Sequence, residues 1–434
     1  MSRSTFVTGG RASLNPAVIL AMVAGAMLSA CSTVAGGEPP RLVWTPTWYA
    51  SPEPSGGAAL VLNHQTIRQI VHVSAGGRYV RVRLSNAYGT TPLHLDAVGI
   101  ALRDRADKIR PASSVRLTFQ GSGDVTIAPG AYAISDPIAF DLPPQADLAV
   151  STYVSGPVAA SSAHLVQRSA VYLANGDAIG APTLPMSASH TSPNRPWVWV
   201  DEVEVAASPA RLAVVAFGDS ITDGVGPGAD SDATWPDVLY GRLRAAGVEL
   251  SVINGGISGN RLLHSGSWAP FGAAALARFD SDVLAQPSVG AVIVLIGIND
   301  IGQVRNSGDA DFVSAEEIER GLGQLAERAH EKGLKLYVGT LTPFKACIIP
   351  GYYSELKEQE RQAVNAWIRS SSVFDGVADF DKALEDPAAP GQMLPLYDSG
   401  DHLHPSAAGD TAIAEAVPLK WFKASDRRFG LQAP

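Results

Sequence analysis

The chain has 434 residues, 46% of them hydrophobic and 17% charged, with a formal net charge of -9. That length exceeds what one core usually holds and favours two domains, and the composition excludes a disordered chain. With no Lys/Arg run and an acidic balance, nucleic acid is excluded as a partner.

The first thirty residues read as an export segment. Arg3 and Arg11 give a weakly basic start, and LNPAVILAMVAGAMLSA is an apolar run ending in small residues. It is short for a spanning helix. Leu28-Ser29-Ala30-Cys31 resembles the bacterial lipobox, which implies a signal peptide over 1–30 and lipidation of Cys31. An ordinary signal peptide cut near Ala30 is the alternative. Acylation at Cys31 implies a membrane-anchored lipoprotein. Ser32 resembles the residue that directs outer-membrane sorting, so the cell surface or periplasm is expected. Residues 31–41 read as a flexible tether. The other cysteine, Cys347, has no His or Asn constellation in sequence and is read as a structural thiol.

Residues 42–205 read as strands. YVRVRLS (79–85) alternates, with Val80, Val82 and Leu84 facing one way and Arg81 and Arg83 the other. TIRQIVHVS (66–74), VRLTF (115–119), DVTIA (124–128), DLAVSTYV (147–154) and WVWVDEVEV (197–205) are further strands, separated by AGG, GSGD and SDP turns. An antiparallel β-sandwich or jelly roll is expected. Its task is open: glycan binding, walling the cleft, or support. Trp44, Trp48, Trp197 and Trp199 are candidate stacking platforms or core residues, the last two sharing a strand face.

After AASPA (206–210) the pattern changes. The apolar runs 212–217, 249–254, 291–296, 334–341 and 376–380 suit strands covered on both faces. Helices lie between them. Ser314 and Glu317 form a capping box, and Leu356, Val364, Trp367 and Ile368 outline another helical face. The alternation predicts a parallel, doubly wound α/β sheet over 211–430, with its site at the carboxyl ends of the strands. Ser220 follows the first run, Gly259 the second and Asn299 the third.

A serine hydroxyl needs a base, usually a His oriented by a carboxylate, and the oxyanion it creates needs fixed donors. Ser220 in AFGDSITDG is the candidate nucleophile. GDHLHPSAAG supplies Asp401 and His404 in a D-x-x-H spacing. Gly259 in NGGISGN offers a bare backbone N–H, and Asn299 in IGIND a side-chain amide. Asp398 competes as the orienting carboxylate, but spacing favours Asp401. Ser258 does not fit the G-x-S-x-G elbow and reads as a loop residue. His402 and His404 project oppositely from an extended chain and make no metal site. The glycine-rich 224–228 lacks the Walker lysine and reads as a loop lining the site. Trp235, Trp268 and Phe271 flank the pocket or belong to the core.

GDSI, Gly259, Asn299 and D-x-x-H, in this order, resemble the blocks of the SGNH (GDSL-type) hydrolase superfamily, with Ile221 where the family's name implies Leu. The resemblance implies a Ser220–His404–Asp401 triad and an oxyanion hole from Ser220, Gly259 and Asn299. It also implies a flavodoxin-like parallel five-stranded sheet and no cofactor or metal. TIRQIVHVSAGGRYVRVRLSNAYG, RQAVNAWIR and DSGDHLHPSAAG resemble the branch with an N-terminal β domain, similar to acetylxylan esterases. That implies an exported ester hydrolase removing short acyl groups from a glycan. The alternatives are an esterase or lipase for longer chains and, in another class, a non-catalytic carbohydrate-binding surface lipoprotein.

Overall fold

The computed structural model describes residues 42–422 apart from 57–59, 166–168, 186–196, 208, 229 and 305–307. The signal peptide, Cys31 and the tether expected over 1–41 lie outside the described residues, as do 423–430 of the second predicted region. Among the described residues no helix is long and apolar enough to cross a membrane. From Leu42 onward the chain forms one compact unit.

The two largest antiparallel sheets among the described residues lie in the N-terminal region, with three smaller ones beside them. Trp44–Tyr49, Gly77–Ser85 and Val200–Ala206, with Tyr132–Ile134 and Ile138–Leu142, make a five-stranded sheet. Gln65–His72, Ala97–Arg105, Asp147–Val154 and Val171–Asn175, with two short strands, make a six-stranded one. The alternation in Gly77–Ser85 explains the layering. Val80, Val82 and Leu84 enter a core shared with Ile67, Val71, Val98 and Val150 of the other sheet. On the opposite face Arg81 bonds Glu204 and Arg83 bonds Asp201 on the neighbouring strand.

The predicted strand 197–205 is interrupted. Trp197–Val198 and Val200–Ala206 are separate strands, and the break falls at Trp199, whose φ is 61°. The two tryptophans therefore do not share one strand face, because a local interruption resets the two-residue alternation. Trp48, Trp197 and Trp199 are all buried in the apolar core, so they are not surface platforms. Trp44 is half-buried, with the Arg81 guanidinium 4.3 Å from its ring centre.

The C-terminal region holds five parallel strands: Leu212–Gly218, Leu250–Gly256, Val289–Leu295, Lys335–Gly339 and Gly376–Ala378. Their spatial order is second, first, third, fourth, fifth. The continuous apolar runs have a direct cause, since successive side chains enter different cores. Val215 and Phe217 join Ile318, Leu322, Val364 and Ile368 on one face. Val214 and Ala216 join Trp235, Leu239, Leu243 and Ile413 on the other. Each fully buried aliphatic side chain contributes about 1.5–3 kcal/mol. Ser314 caps helix Ala315–Glu331 in a capping box with Glu317. Helix Glu355–Ser370 departs from expectation. Leu356 is exposed, and the inward stripe is Arg361, Val364, Asn365 and Ile368. The stripe includes polar residues because each has a buried partner: Asn365 bonds both backbone groups of Leu341, and Arg361 bonds Asp381.

The two regions are knit together. Tyr49 of the first antiparallel strand belongs to a core of the parallel sheet. Ser251 Oγ donates to the Pro46 carbonyl at 2.5 Å, and Ser288 Oγ donates to the Trp44 carbonyl at 2.7 Å.

Candidate active site

The first parallel strand ends at Gly218, and a single helical turn, Ser220–Asp223, starts at once. A Cβ on Gly218 would lie 2.4 Å from the Leu295 carbonyl oxygen, so the neighbouring strand excludes any side chain there. Asp219 caps the turn by accepting the Ile221 N–H at 3.0 Å, while burial raises its carboxyl to about 7. Gly224 closes the turn at φ 108°, a left-handed conformation that glycine adopts without strain. Ser220 is thereby fixed at the strand end, and its N–H, at the first helical position, has no intrahelical acceptor.

The imidazole of His404 stands over this serine. Its Nε2 is 2.8 Å from Ser220 Oγ, and its Nδ1 is 2.6 Å from Asp401 Oδ2. Asp401 Oδ1 accepts the N–H groups of Leu403 and His404 at 3.0 and 2.8 Å. Burial alone would raise the Asp401 carboxyl. The His404 hydrogen bond and charge and these backbone donors outweigh it and hold Asp401 far below the usual carboxylate range. A carboxylate so held keeps hydrogen on Nδ1 and leaves Nε2 to take a proton from the serine. Asp398 engages His402 instead, accepting its ring Nδ1 and its backbone N–H. The glycine-rich loop 224–228 reaches this segment: a Cβ on Gly226 would lie 1.8 Å from the Pro405 carbonyl oxygen.

Gly259 and Asn299 follow the two strands that flank the first. Asn299 Nδ2 donates to the Asn260 carbonyl at 3.0 Å, which leaves its second hydrogen. Its Oδ1 accepts the Tyr352 hydroxyl at 2.8 Å and Gln303 Nε2 at 3.1 Å, so the amide cannot flip. Gln303 Nε2 also donates to the Gly259 carbonyl at 2.8 Å. Gly259 has φ 76°, and a Cβ there would lie 2.2 Å from the Phe271 ring. Asp300, raised by burial to about 6, accepts the N–H groups of Leu262 and Leu263 and holds the loop after Gly259.

Several residues that sequence reasoning missed support this edge. Arg278 is buried and donates to the carbonyls of Gly218 and Gly255, to Asn260 Oδ1 and to Asp282. It therefore clamps the carboxyl ends of the first two strands. His164, from the N-terminal region, bonds Asp223 at 2.9 Å. Ser258, read from sequence as a loop residue only, gives both its N–H and its hydroxyl to Asp223. Of the aromatics left open, Trp235 is core, while Trp268 is half exposed and stacks edge-on against Phe271 beside Gly259. Cys347 is half-buried and unpaired with any other cysteine, and burial raises its thiol.

Among the described residues one group, His72, Asp147 and Asp232, brings three possible metal-ligand atoms within 4.8 Å of one another. Arg103 already bonds Asp147 there at 3.1 Å, and the His72 ring itself bonds Asp147 at 2.8 Å. The group has its own cations and lies outside the Ser220–His404–Asp401 chain.

Residues 216–412 match the GDSL-like Lipase/Acylhydrolase family. No match was found among curated proteins. Solved structures similar to part of the chain include a lipase/acylhydrolase from Enterococcus faecalis, with 22% identity and a TM-score of 0.38, covering 49% of this chain and 96% of that one. An aryl esterase from M. smegmatis has 19% identity and a TM-score of 0.38, covering 47% and 95%. An acetyl xylan esterase has 19% identity and a TM-score of 0.36, covering 47% and 97%.

Proposed function

The chain carries a GDSL-like acylhydrolase domain over 216–412, and on that premise we propose that it is an exported carboxylic ester hydrolase working through an acyl-enzyme on Ser220. The observation that carries the reading is the continuous hydrogen-bond chain from Asp401 through His404 to Ser220, at 2.6 and 2.8 Å. Ser220 Oγ attacks the acyl carbon as His404 Nε2 takes its proton. The new oxyanion is met by the N–H groups of Ser220 and Gly259 and by the free hydrogen of Asn299 Nδ2. Collapse of the tetrahedral adduct expels the alcohol, which receives the proton from His404. Water, deprotonated by the same imidazole, then releases the acid. The protein's own groups complete this cycle without a cofactor.

The preferred substrate in this reading is a short acyl ester, acetyl on a glycan. Its support is the sequence resemblance of both regions to the acetylxylan-esterase-like branch. A second reading, hydrolysis of longer or aryl esters, is favoured by the exposed Trp268 beside Phe271 and by Ile348, exposed and bonded through its N–H to the Asp401 carbonyl. Anchoring at the outer membrane or cell surface rests on the apolar run and small residues before Cys31. The finer architecture follows the same logic: 42–205 as a β-sandwich domain and 211–430 as a flavodoxin-like one, the strand order second-first-third-fourth-fifth being that of the doubly wound type.

The deciding experiment uses protein lacking the first 41 residues. A fluorophosphonate should label the wild type and not Ser220→Ala. Acetate release from acetylated xylan is compared with p-nitrophenyl esters of rising chain length. Preference for long chains moves the assignment to an esterase or lipase, and absence of labelling and turnover moves it to a non-catalytic glycan-binding lipoprotein.

A further inference from the structure

A second histidine lies beneath the nucleophile's turn and comes from the other region of the chain. His164 ends the short strand Ser162–His164, and its side chain is 4% exposed. Its Nδ1 is 2.9 Å from the Ser51 carbonyl oxygen and 3.2 Å from Glu53 Oε1. Its Nε2 is 2.9 Å from Asp223 Oδ1. Carbonyl and carboxylate oxygens only accept, so both ring nitrogens must donate. The other oxygen of Asp223 already accepts the Ser258 N–H at 3.0 Å and the Ser258 hydroxyl at 2.5 Å. Asp223 is thus an acceptor on both oxygens, and the proton between it and the ring belongs to the ring.

The groups facing this imidazole are Glu53 and Asp223, and the Arg278 charge also acts on Glu53. Burial would strip the proton from His164, but Asp223 and then Glu53 more than reverse this and raise the ring to about 10. A buried carboxylate without such a cation would be strongly disfavoured.

Asp223 ends the turn that begins at Ser220, and Ser258 immediately precedes Gly259. The peptide between Ser258 and Gly259 is the central one of a turn closed by the Asn260 N–H on the Ile257 carbonyl at 3.1 Å, so that closure together with the bonds at the Ser258 N–H and hydroxyl sets the direction of the Gly259 N–H. The two turns are also in contact, since a Cβ on Gly256 would lie 2.3 Å from the Asp223 nitrogen.

We infer that His164 is a positioning residue for the oxyanion donor: its cationic ring holds Asp223 as a double acceptor, and Asp223 sets the Ser258–Gly259 peptide against the Ser220 turn. The N-terminal region is therefore part of the catalytic apparatus, supplying one link of its support rather than only a wall. This rests on Ser220 being the nucleophile of an ester hydrolase.

His164→Gln keeps a donor near the Nε2 position and removes the charge. Ser258→Ala removes one hydroxyl at the other end of the chain of bonds. Both are assayed with p-nitrophenyl acetate, fluorophosphonate labelling and thermal melting. Each variant is expected to lose about 10–100-fold in kcat with KM within about threefold, as misplacement of a catalytic group costs. The double variant should be no slower than the slower single, because both act on one peptide. A wild type that neither hydrolyses nor labels overturns the hydrolase reading and this inference with it. An active wild type with His164→Gln at the wild-type kcat overturns the inference alone, as does a loss confined to KM or strict additivity in the double variant. Should His164→Gln fail to fold, a wild-type kcat for Ser258→Ala overturns it.

Discussion

Two histidines in this molecule each stand between a carboxylate and a serine-bearing loop, and they are built for opposite tasks. His404 has an acceptor-only partner on one nitrogen, Asp401, and a hydroxyl on the other, Ser220. A hydroxyl can either give or take a hydrogen, so that ring is free to change its protonation during a reaction. His164 has acceptors on both nitrogens and no such freedom. It is also the more deeply buried, with 4% side-chain exposure against 12% for His404. What the second nitrogen faces decides whether the residue moves protons or only holds its neighbours in place.

That contrast is broken most severely at Ser220 and His404. Alanine at either position is expected to lower kcat by about 10⁴–10⁶, with substrate binding largely kept. Asp401→Asn should cost about 10⁴, because the amide cannot hold hydrogen on Nδ1. His402→Ala is the matched control, since its ring faces Asp398 and not Ser220. A loss at His402 as large as at His404 would invert the assignment of the base. The proposed oxyanion donors come next. Asn299→Ala is expected to cost about 10²–10³ in kcat. Tyr352→Phe leaves the amide in place but removes the hydroxyl on its Oδ1. One such bond is worth about 1 kcal/mol, roughly fivefold in rate. A Tyr352→Phe loss equal to that of Asn299→Ala would mean that the phenol itself meets the substrate.

The same contrast explains what the sequence disclosed. The strand ends were legible because fully apolar runs and the glycines after them admit few alternatives, and Gly218 shows why, with a neighbouring carbonyl where its Cβ would be. His404 and Asp401 were legible because their pairing is local, three residues apart. His164, Arg278 and Tyr352 left no such trace. Each acts on a partner distant in sequence, and nothing in a single chain's pattern says that His164 will meet Asp223. Ser258 was visible but dismissed, since a serine beside a glycine is ordinary in a loop. Only its two bonds to Asp223 separate it from one. The helical face through Leu356 failed for the converse reason. Apolar type suggested burial, whereas Arg361 and Asn365 are drawn inward by specific partners.

The mildest test concerns stability rather than rate. The folded state raises His164 from 6.5 to about 10, so its contribution is full below pH ~6.5 and is lost as pH rises toward 10. Glu53 and Asp219, raised by burial to about 7, also favour the folded state at low pH, but their share is spent once pH exceeds 7. Asp401 works in the other direction: its depressed pKa stabilises above the usual carboxylate range and is lost on acidification. The melting temperature should therefore peak in mildly acidic solution and decline between pH 7 and 9.5, with Glu202, raised by burial to about 8, contributing in the lower part of that interval and His164 across all of it. One pKa unit is about 1.4 kcal/mol, and a chain of this size shifts by roughly 1 °C per kcal/mol, which calorimetry resolves. His164→Gln should melt lower at pH 6 and show a flatter decline from pH 7 to 9.5. Parallel curves for wild type and variant across that interval would mean that the buried ring is neutral in the folded protein, leaving one of its two nitrogens without a hydrogen for the Ser51 carbonyl or for Asp223.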